Sequence, residues 1–161
     1  MLLHRVLVPT DFSPRSRAAL RYALTLADRG AELDLLHVLP APGRLHVRVD
    51  AYLGWPPPVV PEALRDHAEQ LLATLRSSVP HEGVQLNSLV ECGDPAATIV
   101  RIAAERRAEL IVIGTHGRTG LAEAVLGSVA HRILCCAPCP VLALRGDEAY
   151  LQTIAAPTEG L

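Results

Sequence analysis

The stretch that decides the fold runs from Glu109 to Cys139 and reads ELIVIGTHGRTGLAEAVLGSVAHRILCCAPC. It begins with four consecutive apolar residues, Leu110 to Ile113, three of which are β-branched. A short apolar run that stops at glycine is typical of a strand buried on both faces of a parallel sheet. Apolar residues at helical spacing follow Gly127-Ser128. The stretch therefore predicts a buried strand, a glycine-rich turn and a helix.

Glycines stand at both ends of the predicted turn. Gly114 and Gly117 follow the strand, and Gly127-Ser128 precede the helix, which gives the spacing G-x2-G-x9-G-S. A helix N-terminus carries unpaired N–H groups and a partial positive charge, and glycine lets the backbone approach a bound group closely. The pair Gly114 and Gly117 alone would more often only shape a turn. The full spacing indicates an anion site, best suited to phosphates.

Composition limits the classes of function. At 161 residues with a net charge of −2, the chain predicts one domain, over residues 1–145, followed by a tail at 146–161. The charge balance gives no basic surface for nucleic acid, so no nucleic-acid partner is expected. All basic residues other than histidine are arginine, so a P-loop lysine or a lysine base is excluded.

The N-terminal residues do not resemble a targeting segment. His4 and Arg5 interrupt the apolar run before an h-region of about 7–15 residues could form. No window reaches the roughly 20 apolar residues that a membrane span requires. We expect a cytoplasmic protein with no membrane association.

Four cysteines remain: Cys92, Cys135, Cys136 and Cys139. The Cys136-x-x-Cys139 spacing resembles a redox motif, but in thioredoxin-like sites this motif opens a helix, whereas here it follows one. A zinc site would need four ligands, and Cys92 follows a different strand. Buried structural thiols are therefore expected.

Strands and helices alternate along the whole chain. Strands are predicted at 5–10, 33–39, 84–90, 110–113 and 141–144, and helices begin at Ser13-Pro14, Glu62, Asp94-Pro95 and Gly127-Ser128. The first helix is predicted to run through Ala27, with Gly30 just after its end. This order implies an α/β fold: a single doubly wound five-stranded parallel sheet with helices on both faces.

Between the second strand and second helix lies a proline-rich loop, residues 40–61. Loops of this length inside a compact domain are commonly functional. Arg44, His46 and Arg48 could reach an anion from it, and a solvated connector is an equally good interpretation.

Polar groups follow three predicted strands, at Pro9-Thr10-Asp11, at His37-Val38 and at Gly114 to Gly117. In doubly wound sheets, ligands bind at the carboxyl ends of strands where the winding reverses. If the first and fourth strands are neighbours, Asp11 faces the glycine-rich turn across that point. Asp11 alternatively acts only as a turn or cap residue.

The motifs RVLVPTDFS, LLHVL, GTHGRTGL with GSVAHRIL, and CPVLAL together resemble the ATP-binding branch of the universal stress protein family, over roughly residues 3 to 145. The resemblance implies a sheet order of 3-2-1-4-5, binding of ATP with Mg²⁺, and a homodimer formed through Val141 to Leu144. It also implies that Cys139, which precedes the PVL motif, is structural.

The same resemblance implies roles for individual residues. Pro9, Thr10 and Asp11 would line the nucleoside side, and Val38 would hold adenine through its backbone. The ribose and phosphates would contact Gly114, Gly117, Gly127, Ser128 and Val129. Arg118 is either a further phosphate contact or an exposed loop residue, and Asp11 could help hold Mg²⁺.

Three functions follow from these observations. The first is an ATP-binding, nucleotide-dependent switch or regulator in the stress response, with at most a slow ATPase activity and no assigned catalytic residue; His116 and His131 are interpreted as structural. The alternatives are an ATP-hydrolysing enzyme and a nucleotide-free interaction module. A dinucleotide oxidoreductase is disfavoured, because VPTDFSP stands where G-x-G-x-x-G is required.

Overall fold

The computed structural model describes residues 3–41, 60–115 and 127–145. Within them, five strands alternate with four helices. The strands are β1 (Leu3–Pro9), β2 (Ala27–Pro40), β3 (Gln85–Gly93), β4 (Leu110–Gly114) and β5 (Val141–Leu144). The helices are α1 (Pro14–Leu26), α2 (Glu62–Ser77), α3 (Pro95–Glu105) and α4 (Ser128–Cys136).

All five strands form one parallel sheet in the order β3-β2-β1-β4-β5. One core cluster packs α1 and α2 on one face of the sheet, and a second cluster packs α3 and α4 on the other. The central strand β4 buries Ile111 and Val112 completely, as its unbroken apolar run predicts. The predicted doubly wound fold and its strand order are confirmed.

The predicted end of the first helix was wrong. Helix α1 stops at Leu26, and Ala27 is already extended, with φ −76° and ψ 137°. Gly30 lies within β2, where its φ of +84° accompanies a 2.6 Å hydrogen bond from its amide to the carbonyl of Gly83. The register of β1 against β2 shifts between Leu3 and Arg5, so this early part of β2 is irregular. Gly30 therefore provides the positive φ in this irregular part of β2, and it does not cap α1.

The predicted start of β2 was also wrong, because the strand begins at Ala27 rather than at Leu33, whereas the other elements begin and end within about three residues of their predicted positions. Ser13 and Asp94 cap α1 and α3 through side-chain oxygens, with proline at the first helical position of each helix. Most of the proline-rich loop, residues 42–59, and the C-terminal tail, 146–161, lie outside the described residues. Among the helices that the structure describes, none is long and apolar enough to cross a membrane.

Candidate functional site

The site lies where the carboxyl ends of β1 and β4 meet. These two strands are paired, Val6 with Leu110 and Leu7 with Ile111, although two strands and three helices lie between them in sequence. From β1 the winding proceeds outward to β2 on one side and to β4 on the other, which leaves a crevice at the switch point. A cavity of about 330 Å³ occupies this crevice. Its size is at the lower end of the range typical of small-molecule sites.

Eight of the predicted site residues line this cavity: Pro9, Thr10, Asp11, Val38, Gly114, Gly127, Ser128 and Val129. They come from four separate segments of the chain, which the sheet order brings to one edge. The other two, Gly117 and Arg118, lie outside the described residues.

The sequence did not identify several further lining residues. They are Ser16 from α1, Leu36 from β2, Pro95 and Ile99 from α3, Ile113 from β4 and Ala130 from α4, whereas the lining residues His37 and Thr115 belong to strand ends that the sequence did indicate. Pro95 and Ile99 could have been found, because the Asp94-Pro95 helix start marks another strand–helix junction at the same edge of a parallel sheet. Ser16 had no such signal, since a serine in the first turn of a helix is ordinary.

The turn between β1 and α1 is fixed by its own hydrogen bonds. The amide of Phe12 donates to Thr10 Oγ1 at 3.1 Å, and the amide of Ser13 donates to Asp11 Oδ1 at 3.1 Å. Phe12 has a φ of 64°, which is rare for a bulky residue and costs roughly 1–3 kcal/mol. The turn therefore presents the Asp11 carboxylate at the cavity in a restrained backbone.

The buried hydroxyls of Thr10, Ser13 and Ser16 form hydrogen bonds that stabilise this turn. Ser13 Oγ accepts from the amide of Ser16 at 3.2 Å, and the hydroxyls of Thr10 and Ser16 are 3.0 Å apart. All three residues are less than a tenth exposed. Buried hydroxyls that satisfy one another hold a unique local geometry, because an unpaired one would be costly. The floor of the cavity next to Asp11 is thus rigid.

His37 connects the ends of β1 and β2. Its Nδ1 lies 2.8 Å from the carbonyl oxygen of Thr10. A carbonyl can only accept, so Nδ1 carries the proton and donates. The imidazole also packs against the ring of Phe12, with centroids 4.5 Å apart and planes tilted by 42°. This arrangement fixes the end of β2 beside Val38, which lines the cavity.

Three helices begin at this edge, and their N-termini differ. Ser13 caps α1, and Asp94 caps α3 by accepting from the amide of Ala97 at 3.0 Å. The N-cap of α4 is Gly127, which has no side chain to bond the amides of the first turn. Ser128, Val129 and Ala130, the first three residues of α4, line the cavity. The positive end of α4 is therefore directed at the crevice without a side-chain acceptor from its own cap.

Gly114 has a packing role in addition to its place in the cavity wall. A Cβ atom at this position would lie 3.1 Å from the backbone carbon and oxygen of Arg15. The absence of a side chain therefore lets the first turn of α1 pack closely on the end of β4. The sequence interpretation assigned this glycine only to the approach of a bound group.

The cavity carries little charge in the part of the chain that the structure describes. Among its lining residues there, Asp11 is the one carboxylate, and arginine is absent. No group of three or more metal-binding side chains occurs among the described residues. One carboxylate suits Mg²⁺ that is held mainly by phosphates and water, and it does not suit an all-protein metal cage.

The expectation of buried cysteines was wrong for two of the four. All four thiols are free; Cys135 and Cys136 are exposed, whereas Cys92 and Cys139 are partly buried. The last turn of α4 faces outward beyond Ile133, the final fully buried residue of that helix. Helical periodicity alone did not reveal which side of this short helix meets the sheet.

The chain is similar to known proteins over most of its length. Residues 3–145 match the model of the Universal stress protein family. The chain is 32% identical to universal stress protein MJ0531 of Methanocaldococcus jannaschii over 149 residues, which cover 89% of this chain and 83% of that protein. It is 33% identical to universal stress protein YxiE of Bacillus subtilis over 152 residues, which cover 89% of this chain and all of that protein.

Solved structures give the same result. The structure of MJ0577 from M. jannaschii superposes with a TM-score of 0.74 at 25% identity, over 91% of this chain and 99% of that one. A universal stress protein from Archaeoglobus fulgidus, solved in complex with dAMP, superposes with a TM-score of 0.54 at 26% identity, over 89% and 98% of the two chains. The fold, the family-model match and the level of identity agree, and the chain belongs to the universal stress protein family.

Proposed function

We propose that this protein binds ATP in the crevice between β1 and β4 and acts as a nucleotide-dependent switch or regulator in the stress response. The observation that carries the proposal is the cavity itself, which combines apolar walls, a helix N-terminus without a side-chain cap and, among its described lining residues, one carboxylate. A nucleotide needs these three environments for its base, its phosphates and its metal ion.

The adenine would lie against the apolar part of the cavity. Leu36, Val38, Ile99 and Ile113 supply this surface, and each is buried or contributes to the second core cluster. Apolar walls with a few polar backbone groups are typical of small-molecule sites. The dAMP complex of the A. fulgidus relative supports an adenine nucleotide as the class of ligand.

The phosphates would be bound by the first turn of α4. The amides of Ser128, Val129 and Ala130 have no acceptor within the helix, because helical bonding begins when His131 donates to Gly127 at 2.9 Å. The Ser128 side chain is exposed at this point and can add a hydroxyl donor. Oriented amides and the helix dipole together favour a negatively charged group.

Asp11 would contribute to the binding of Mg²⁺ that accompanies the phosphates. Its Oδ1 atom already accepts from the Ser13 amide, so its position is set before any ligand arrives. Mg²⁺ commonly retains several waters and takes one or two carboxylates together with substrate phosphates. The metal would supply charge neutralisation, and Asp11 would orient it.

Rapid hydrolysis is not expected of this site. Fast phosphoryl transfer requires cations placed where charge develops and a residue that orients the attacking water. The chain has no lysine, and its described lining residues offer one carboxylate and one histidine, whose Nδ1 is already engaged. We therefore propose that nucleotide binding favours one conformation over another, so that the protein acts as a switch.

We also propose that the protein forms a homodimer through β5. This strand is one edge of the sheet, and its four apolar residues are all only partly buried. An apolar edge strand favours pairing, and pairing with its own copy about a two-fold axis would cover both edges at once.

The proposal is tested on the purified wild-type protein. Native mass spectrometry should detect an adenine nucleotide and a dimer, calorimetry should detect binding of ATP with Mg²⁺, and turnover should fall far below the usual enzyme range of about 1–1000 per second. Turnover within that range would favour the enzyme. Absence of adenine-nucleotide binding would favour the interaction module.

A further inference from the structure

The hydrogen-bond ladder between β1 and β2 stops at the edge of the cavity. The pairing runs as far as Pro9 with Leu36, and the amide of Thr10 still donates to the carbonyl of Leu36 at 2.8 Å. The next bond of a regular parallel ladder would join the amide of Val38 to the carbonyl of Thr10. Among the residues that the structure describes, that bond is absent. The ladder therefore ends one bond early.

The imidazole of His37 takes the place of the missing donor. Its Nδ1 donates to the carbonyl of Thr10 at 2.8 Å. The ring packs against Phe12, with centroids 4.5 Å apart, and the amide of Phe12 donates to Thr10 Oγ1 at 3.1 Å. The side chain of His37 thus satisfies the carbonyl that the backbone of the following residue would otherwise use.

The direction of the Val38 amide follows from the alternation of backbone groups along β2. The carbonyl of Leu36 faces β1, because it accepts from Thr10, and the amide of Ala41 faces β3, because it donates to the carbonyl of Gly93. Val38 is two residues beyond Leu36, so its amide also lies on the side of β1. At that level β1 has already ended and the cavity begins.

The amide of Val38 needs an acceptor. Val38 is buried and lines the cavity, and buried backbone N–H groups are nearly always paired. The carbonyl at the end of β1 is occupied by His37, so the acceptor has to come from what fills the cavity. The apolar side chains of Leu36 and Ile113 also line it and suit the faces of a flat ring. A planar heterocycle with a nitrogen acceptor on its edge fits both features.

We propose that His37 is a positioning residue for base recognition. By occupying the carbonyl of Thr10, it keeps the amide of Val38 out of the ladder and presents that amide to a ring nitrogen of the bound base. In an adenine nucleotide this nitrogen is N1. The inference rests on the proposed nucleotide binding, but its effect on the ladder exists in the protein without ligand.

A purely structural role for His37 has a different consequence. If the ring only stabilised the end of β1, its loss would lower the stability of the protein and weaken all ligands of the cavity alike. If it keeps the Val38 amide available, its loss removes the dependence of affinity on one atom of the base. The two roles are therefore separated by a ligand that lacks that atom.

The test compares ATP with 1-deaza-ATP, in which a C–H group replaces N1, by calorimetry on the full-length protein. The wild type should bind ATP about tenfold or more tightly, because the analogue leaves the buried amide of Val38 unpaired. His37→Phe keeps an aromatic ring beside Phe12 but has no N–H donor. The Val38 amide should then bond to Thr10, and the two ligands should bind within about twofold of each other.

Two further variants are matched to His37→Phe. His37→Asn retains an N–H donor on the atom next to Cγ, as Nδ1 is, and its preference for ATP should stay within about threefold of the wild-type value. His81→Phe removes the same type of contact, Nδ1 to the carbonyl of Val79 at 2.9 Å, at a residue that does not line the cavity. Its preference for ATP should equal that of the wild type.

NMR couplings across hydrogen bonds test the protein without ligand. A coupling between the nitrogen of Val38 and the carbonyl carbon of Thr10 should be present in His37→Phe and absent from the wild type and His37→Asn. The proposal is overturned if the wild type shows this coupling, if folded His37→Phe lacks it, or if the wild type binds 1-deaza-ATP as tightly as ATP. That last result leaves the proposed nucleotide function standing, whereas a wild type that binds neither ligand overturns both.

Discussion

The amide nitrogen of Gly127 donates a 2.8 Å hydrogen bond to the carbonyl oxygen of Thr115. This bond joins the two ends of residues 116–126, so the end of β4 and the start of α4 are held side by side. The amide of Thr115 in turn donates to the carbonyl of Leu144 at 3.0 Å, which ties the same point to β5. Because the Gly127 amide is already used, the backbone donors that the first turn of α4 offers to a ligand are those of Ser128, Val129 and Ala130.

The first prediction concerns the hydroxyl at the start of α4. Ser128→Ala should weaken ATP binding by about 1–3 kcal/mol, or roughly 5- to 150-fold, if the hydroxyl bonds a desolvated phosphate. Calorimetry measures the change. Ser88→Ala, at an exposed position in β3, is the control and should bind ATP as the wild type does. Equal affinity in Ser128→Ala and the control would remove this serine from the site.

A second prediction concerns Mg²⁺. Asp11→Asn keeps an oxygen that can accept from the Ser13 amide, as Oδ1 does at 3.1 Å, but it removes the negative charge. ATP affinity should therefore rise on addition of Mg²⁺ in the wild type and rise much less in the variant. Titrations with and without EDTA measure both responses. If the variant gains as much affinity from Mg²⁺ as the wild type, Asp11 does not hold the metal.

The dimer prediction can be made specific to the free hydrogen-bonding edge of β5. The carbonyl groups of Pro140 and Leu144 accept hydrogen bonds from the amides of Ile111 and Thr115. In an evenly spaced parallel ladder, the backbone groups of the even-numbered residues of β5 therefore face β4, and the N–H of Ala143 points outward. Ala143→Pro should therefore give monomers, because it removes a donor from the free edge only. Sedimentation measures the assembly state.

Leu142→Pro is the comparison for that experiment. It removes a donor that faces β4, so it should lower the free energy of unfolding as well as disturb the dimer. A wild-type protein that sediments as a monomer at high concentration would contradict the proposed dimer. So would an Ala143→Pro variant that is folded and remains dimeric.

The close approach of α1 to β4 gives a stability prediction. Gly114→Ala places a Cβ about 3.1 Å from backbone atoms of Arg15 that cannot rotate away. It should lower the free energy of unfolding by roughly 1–3 kcal/mol, as overpacking does. Gly30→Ala is the matched control. Its added Cβ would have no atom within 4 Å, so this variant tests only the cost of placing alanine at a positive φ. Urea unfolding that shows no loss for Gly114→Ala would contradict the packing argument.

Glu109 gives a prediction about pH. Its pKa is lowered, first by the hydrogen bond from the His4 amide at 2.8 Å and then by the hydrogen bond and charge of Arg5, against an opposing effect of desolvation. A carboxyl group whose pKa is lower in the folded than in the unfolded protein stabilises the fold. This stabilisation is complete at pH values above the pKa of the unfolded state, near 4.5, and it is lost as the pH falls through the pKa of the folded state.

Glu109→Gln should therefore be less stable than the wild type near pH 7, and the difference should shrink near pH 3. Urea unfolding at both pH values measures it, with Glu82→Gln, an exposed turn position, as the control. A difference that does not depend on pH would show that the side chain acts by shape rather than by charge.

The sequence by itself determined the order of elements and the class of fold. The run Leu110 to Ile113, the Ser13 and Asp94 caps and the helical spacing after Glu62 are local signals, and each led to the element that the structure contains. Local patterns of this kind carry secondary structure because burial follows the strand and helix periods. They also placed glycines and polar residues at strand ends, which predicted a candidate site at the edge of the sheet where the structure has a cavity.

The tertiary structure, and not any local pattern, decides which strand ends meet. The pairing of β1 with β4 brings Asp11 and α4 to one cavity, and no periodicity within either segment contains that contact. The end of α1 at Leu26, the approach of Arg15 to Gly114 and the exposure of Cys136 were likewise absent from the local pattern. The physical reason is that long-range packing chooses among conformations that local propensity leaves nearly equal in free energy.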